Sequence, residues 1–167
     1  MANADRPHGF NPYGPLTRFR PYKATTSSTP AFFIGDVVEA NASGWINPAS
    51  AGDVATLGVS QGYLAVSTAG TVMIADDNEQ LFEAQDDASG SPASTDVFAN
   101  FDHIAGTGSA TTLLSGHEIA YSTLSTGDGG FVLLDLVPRA DNAWGDNADL
   151  VVQGNTGEGV LRLTAGV

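Results

Sequence analysis

Phe131-Val132-Leu133-Leu134-Asp135-Leu136-Val137, opened by Gly127-Asp128-Gly129-Gly130 and stopped by Pro138, is the stretch that decides the fold. A short apolar run between a glycine turn and a proline is too brief for a buried helix. It has the length of a strand in a packed sheet.

The same grammar repeats outward in both directions. Towards the C-terminus, Asp149-Leu150-Val151-Val152-Gln153 and Val160-Leu161-Arg162-Leu163-Thr164 read as strands. Towards the N-terminus come Glu118–Tyr121, Thr112–Leu114, Leu81–Gln85, Thr71–Ala75, Tyr63–Thr68, Thr56–Val59, Trp45-Ile46, Val37–Ala40 and Ala31–Ile34. Gly, Asn, Asp and Pro clusters separate them, as in Asn41-Ala42-Ser43-Gly44 and Asn47-Pro48. Val97, Phe101, Ile104 and Ala105 fall at helical spacing behind Asp96, which predicts one short helix there. Eight to ten strands with turns every 8–12 residues, no βαβ alternation and no fixed-period repeat predict an all-β chain. The expected architecture is a single β-sandwich or barrel-like domain over residues 31–167.

Composition agrees. The 167 residues suit one domain, and hydrophobic residues make up 42% against 15% charged, which is not the balance of a disordered polymer. The 20 glycines favour short strands and tight turns over a helical bundle. No run approaches the ~20 apolar residues of a membrane span, and the first residues lack the apolar stretch of a secretory signal, so no membrane association is expected. The absence of cysteine removes disulfides and thiolate chemistry.

Residues 1–30 read differently. Prolines at 7, 12, 15, 21 and 30 preclude regular helix, and Phe10, Tyr13, Phe19 and Tyr22 interleave with Arg6, Arg18, Arg20 and Lys23. Aromatic side chains in an extended segment need a surface to dock on. The expectation is an extended arm ordered on a partner, with a disordered tail as the alternative for the segment and packing back on its own subunit as the alternative for each residue. These eight residues, Arg6, Phe10, Tyr13, Arg18, Phe19, Arg20, Tyr22 and Lys23, are the candidate partner contacts. Charge sharpens the contrast. Residues 1–23 carry a formal +3, and the rest of the chain −16, within a net charge of −13. An acidic body repels phosphate, so nucleic acid is not an expected partner; the basic arm suits an acidic protein surface.

Motifs for catalysis and metals are weak. Gly58-Val59-Ser60-Gln61-Gly62 matches the G-x-S-x-G nucleophile elbow, and with it a serine hydrolase at Ser60. That chemistry needs a helix behind the serine, whereas Tyr63–Thr68 reads as a strand. Asp141, Asn142, Asp146, Asn147 and Asp149 crowd one loop but lack the EF-hand spacing. His8, His103 and His117 lack metal-pair spacing. No catalytic residue, metal or cofactor is assigned, and an enzyme is not expected.

Several stretches together resemble a family. Met1-Ala2-Asn3-Ala4-Asp5-Arg6-Pro7-His8-Gly9-Phe10-Asn11-Pro12 is similar to the opening of small tailed-phage structural proteins encoded near the major capsid protein. Phe33-Ile34-Gly35-Asp36-Val37-Val38 resembles that family's first apolar-Gly-Asp-x-Val strand, and Leu81-Phe82-Glu83-Ala84-Gln85 its Phe-x-Val-Gln strand. Gly106–Ser109 with Leu114-Ser115-Gly116-His117-Glu118 resembles its Ser-Gly-x-Glu turn, and Leu136–Gly145 its Arg-x-Asp-Asn-x-x-Gly segment. The resemblance implies a capsid decoration, or cement, protein of a bacteriophage. Such a protein is a homo-oligomer, a trimer by the usual geometry, made in the host cytoplasm and placed on the outer capsid surface of the virion. Its partners would be the major capsid protein and copies of itself. A head-fibre or tail-associated carbohydrate-binding module is the alternative, with Trp45 and Trp144 as its candidate aromatic platform.

Overall fold

The computed structural model describes residues 3–24, 31–52, 56–125 and 129–155. The fold is all-β, with eleven strands among these residues and a single 3₁₀ turn at Ser94–Asp96. In chain order the strands are β1 (Asn11–Tyr13), β2 (Phe19–Ala24), β3 (Val37–Ala40), β4 (Ile46–Pro48), β5 (Thr56–Ser60) and β6 (Gly70–Ala75). They continue as β7 (Leu81–Gln85), β8 (Asn100–Ile104), β9 (Glu118–Ser125), β10 (Phe131–Leu136) and β11 (Asp149–Gly154).

These strands form two sheets. One is six-stranded in the order β1-β7-β11-β10-β8-β9; the other closes into a small barrel, β2-β4-β3-β5-β6. Closure removes free strand edges from the barrel. Pairing between these strands is antiparallel except for the single β2–β4 contact, Ala24 opposite Ile46; two isolated bridges, Ile34 to Leu114 and Asp86 to Ile119, are parallel.

The apolar run that opened the reading is β10, at the centre of the larger sheet. Phe131 and Leu133 point into the core while Val132 and Leu134 stay partly exposed. A shift in register between Leu133 and Asp135 opposite β11 interrupts the alternation, as a bulge does. The principal core gathers Phe10, Phe82, Phe101, Ile119, Phe131, Leu133, Leu150 and Val152 from the larger sheet with Val37, Val59 and Ala75 from the barrel, so one apolar mass joins the sheets. A second cluster, Ala24, Phe32, Val38, Ile46, Leu57, Val72 and Ile74, packs with the barrel strands.

Four local expectations are corrected. The helix expected behind Asp96 is absent. Asp96 accepts the Ala93 N–H at 2.8 Å within the 3₁₀ turn, Phe98 takes φ +73°, and residues 100–104 form β8. Phe101 and His103 alternate with Asn100 and Asp102, so the period was 2 all along, and pairing with β9 and β10 supplies the backbone bonds. Tyr63–Thr68 is bend and turn with one bridge, Leu64 to Phe32, and Ser67 sits at φ +55°. Thr112–Leu114 likewise reduces to a turn and one bridge, Leu114 to Ile34, with Leu113 at φ +62°. Ala31–Ile34 joins neighbouring chain only through those bridges at Phe32 and Ile34, with Phe33 bonded locally to Asp36. The strand read at Val160–Thr164 lies outside the described residues.

The N-terminal segment is extended, and it is docked on its own subunit. β1 pairs with β7, and β2 runs antiparallel to β6 from Phe19 opposite Ala75 to Ala24 opposite Gly70. One short stretch thus contributes a strand to each sheet and ties them together.

Candidate functional site

Three polar clusters and a set of exposed apolar side chains compete for the role of functional site. The first lies where β2 crosses β6. Asp76, wholly buried, accepts Nε–H of Arg18 at 3.1 Å, Nε–H of Arg20, and O–H of Tyr22 at 2.6 Å. Arg18 also donates to the Asp76 carbonyl. The alternation of β2 brings Arg18, Arg20 and Tyr22 to the same side, which lets one acid collect all three. Burial alone would push the Asp76 carboxyl up; the bonds from Tyr22, Arg20 and Arg18 outweigh it and hold the group below its ordinary range. Tyr22 is pushed up to about 12 by burial and by its bond to Asp76.

The second cluster sits at the junction of β1, β7 and β11. His8 Nε2 lies 3.1 Å from Asp149 Oδ1 and 3.9 Å from Glu83 Oε1. One ligating atom from each of these three residues falls within 4.8 Å of the others, the spacing of a metal site. Arg139, however, donates to Glu83 at 2.6 Å and to Asp149, so a guanidinium already neutralises both carboxylates. The bond to Asp149 raises the His8 pKa above its ordinary value, against the burial that would lower it. The arrangement is a clamp holding the N-terminal segment on the sheet. Asn142 closes the same loop through Val137 O and both backbone polar groups of Asp149. The crowded loop acids therefore do different work: Asp149 is paired, Asp146 accepts the Ser91 hydroxyl, and Asp141 is exposed.

The third cluster occupies the cleft between the sheets. His117 and Asp36, both almost wholly buried, lie 3.6 Å apart between Nε2 and Oδ1. The Val37 N–H donates to His117 Nδ1 at 3.3 Å, which places the ring proton on Nε2, and the ring stacks on His103 with centroids 5.4 Å apart. Burial, with His103 beside it, pushes His117 down to about 3, and burial pushes Asp36 up to about 6. Ser115 donates nothing to the histidine ring; its hydroxyl oxygen instead accepts the backbone N–H of His117 at 2.9 Å. This trio is therefore not wired as a nucleophile, base and orienting acid. His117 is visible in the sequence beside Glu118, but this cluster is not. Asp36 comes from the residue before β3, His117 from the loop before β9 about eighty positions on, and His103 from β8, with no local signal joining them.

Ser60 ends β5 fully buried. Its hydroxyl donates to Gly62 O at 2.8 Å, and the chain then bends without entering a helix. Gly58 serves packing: a Cβ there would stand 2.2 Å from the Ala75 carbonyl oxygen. The G-x-S-x-G match thus marks a tight strand crossing in place of a nucleophile elbow.

The eight expected partner contacts divide into groups. Phe10 is a core residue with no exposure, stacked on Phe131 with centroids 4.6 Å apart, so it leaves the contact set. Arg18, Arg20 and Tyr22 are engaged by Asp76. Tyr13 is half-buried in β1. Phe19 is 51% exposed, and Arg6 and Lys23 are exposed without an ion pair to another described residue. Of the two tryptophans, Trp144 packs against the principal core and Trp45 is about one-third exposed at 36%, so they do not form a shared platform.

The most exposed large apolar side chain among the described residues lies in the segment expected to be helical. Phe98 is 77% exposed and sits at φ +73°, a backbone region that a bulky residue enters only when its surroundings hold it there. Its N–H donates to Leu133 O at 2.8 Å, which anchors it beside β10. Val66, Leu124 and Ile104 are also exposed. Among the described residues no helix is long and apolar enough to cross a membrane. No family model, curated protein or solved structure matches this chain.

Proposed function

We propose that this protein is a virion structural protein that decorates a phage capsid and bridges neighbouring capsid subunits as a homo-oligomer. The observation that carries this reading is Phe98, a mostly exposed aromatic ring held on strained backbone at the surface of a strongly acidic β body. A protein without a partner gains nothing by presenting such a ring to water; a contact residue gains a rigid anchor. The family resemblance of the opening residues and of the Gly-Asp, Ser-Gly-x-Glu and Arg-x-Asp-Asn segments supports the same reading. So does the acidity, which keeps free copies apart before assembly.

The bracing of the N-terminal segment changes how the contact is made. Arg18, Arg20 and Tyr22 spend their polar groups on Asp76, so the anchor proposed is the body surface around Phe98, with Phe19, Arg6 and Lys23 as the remaining exposed members of the original set. The test is functional. Adding purified protein to capsids stripped of their decoration is expected to raise the temperature at which the heads release their DNA. An unchanged release temperature at saturating protein contradicts the bridging role.

A further inference from the structure

The cleft between the two sheets holds a cavity of about 310 Å³ beside the Asp36–His117 pair. Ala31, Phe33, Pro48 and Ala49 give it apolar walls, and Asp36 and His117 line it with the polar groups. On one side the wall is glycine. A Cβ on Gly106 would stand 1.9 Å from the Gly116 carbonyl oxygen, and one on Gly108 would stand 2.3 Å from the Phe33 ring. Backbone packs here where side chains cannot, so this wall of the cavity is close-packed.

The charges in this cavity do not balance. Asp36 is 2% exposed; its Oδ2 accepts the Phe33 N–H at 2.7 Å and Ser115 supplies a second bond. His117 Nε2 faces Oδ1 at 3.6 Å, beyond hydrogen-bond reach. That imidazole is neutral, because Nδ1 is committed as an acceptor to the Val37 N–H and burial opposes a second proton. Among the described residues, no lysine or arginine comes within 4 Å of this carboxylate. A desolvated carboxylate without a counter-ion is costly, and a ligand that brings a positive charge and donors relieves the cost.

We propose that the cleft is a binding site for a primary alkylammonium group, the charged head donating to Asp36 Oδ1 and the aliphatic stem lying along Phe33, Pro48 and Ala49. The group has two possible sources, a lysine side chain of a neighbouring protein or a free small amine. The proposal stands on the cavity alone and does not depend on capsid binding.

The test is an NMR titration of the intact protein with n-butylammonium chloride at pH 7.5, following the Gly106 and Gly108 amides and the His117 ring. Saturable shifts confined to the cleft are expected, at least tenfold weaker with 1-butanol. The binding should also be lost at pH 5, where Asp36 carries its proton, and in Asp36→Asn, which keeps an acceptor for the Phe33 N–H. Ala105→Trp, at the exposed rim, supplies a second variant that leaves the turn intact and should block entry. Tighter binding of a doubly blocked lysine assigns the ligand to a protein side chain, and tighter binding of butylammonium to a free amine; each supports the site. Absence of saturable shifts, an equal response to 1-butanol, or undiminished binding by both variants overturns it.

Discussion

Individual side chains in this protein often do a different job from the one their type suggests. Phe10 looked like a partner contact because an aromatic ring in a proline-rich segment needs a surface; the surface is Phe131 of its own core. Phe10→Ala is therefore expected to cost about 3–5 kcal/mol of stability, measured by urea denaturation, through the cavity it leaves. Arg18, Arg20 and Tyr22 were legible as residues seeking a partner, but nothing local pointed to Asp76, more than fifty positions away. Asp76→Ala should cost about 1–3 kcal/mol, since it strips the acceptor from three donors at once. Arg20→Ala should cost less, because Arg18 and Tyr22 still satisfy the acid and the arginine is half-exposed. Equal losses in the two variants would count against Asp76 as the hub. Asp36 and His117 were each visible in the sequence. Their meeting was not, because it depends on the packing of one sheet against the other.

Among the elements, β10 was the most legible because burial on one face and punctuation by Gly and Pro coincide. Less clear were the segments where two periods fit the same residues. Val97, Phe101 and Ile104 satisfy a helical spacing, while Phe101 and His103 satisfy a strand's alternation with Ile104 on the outer face, and the ladder with β9 and β10 decides between the two. Short apolar pieces such as Tyr63–Thr68 carry β propensity without a partner strand of matching length, and they remain single bridges. β5 and β6 approach so closely at Gly58 that a methyl group meets backbone. Gly58→Ala is expected to destabilise by about 1–3 kcal/mol, and a crystal structure of the variant should show β5 displaced from β6. A variant as stable as the parent would mean that the close approach is not structural. Because β1 and β2 each complete a sheet, deletion of residues 1–24 should abolish cooperative unfolding, whereas an arm docked on a partner would leave the body intact.

At the scale of the whole molecule, acidity shapes both stability and association. Burial pushes Asp86 up to about 7, with Asp87 and Asp146 adding to it, and pushes Glu118 up to about 7 with Asp5, Asp87 and Asp86 adding. Asp36 is pushed up to about 6. Carboxyls raised in the folded state hold protons that the unfolded chain has released, so their contribution to stability is lost as pH rises through 6 to 7. His117 acts in the opposite sense. Its depressed pKa means the unfolded chain takes up a proton below about 6.5 that the folded chain refuses until about 3. Three carboxyls against one imidazole leave the carboxyls dominant. The urea midpoint should be higher at pH 5.5 than at pH 8, and the difference should shrink in an Asp86→Asn/Glu118→Gln double variant. A midpoint that rises with pH across this range would contradict the assignment.

Association is where the account stands or falls, and the direct measurement is co-sedimentation of the purified protein with capsids stripped of decoration, at low and high salt. If the body surface around Phe98 is the anchor, wild-type protein pellets with the heads at both salt concentrations, because apolar contacts are not screened. Phe98→Ser, once urea denaturation has verified its fold, is then expected to stay in the supernatant. Binding that survives Phe98→Ser but disappears with salt would move the contact to exposed charges such as Arg6 and Lys23. Failure of the wild-type protein to pellet under either condition would contradict the decoration role itself.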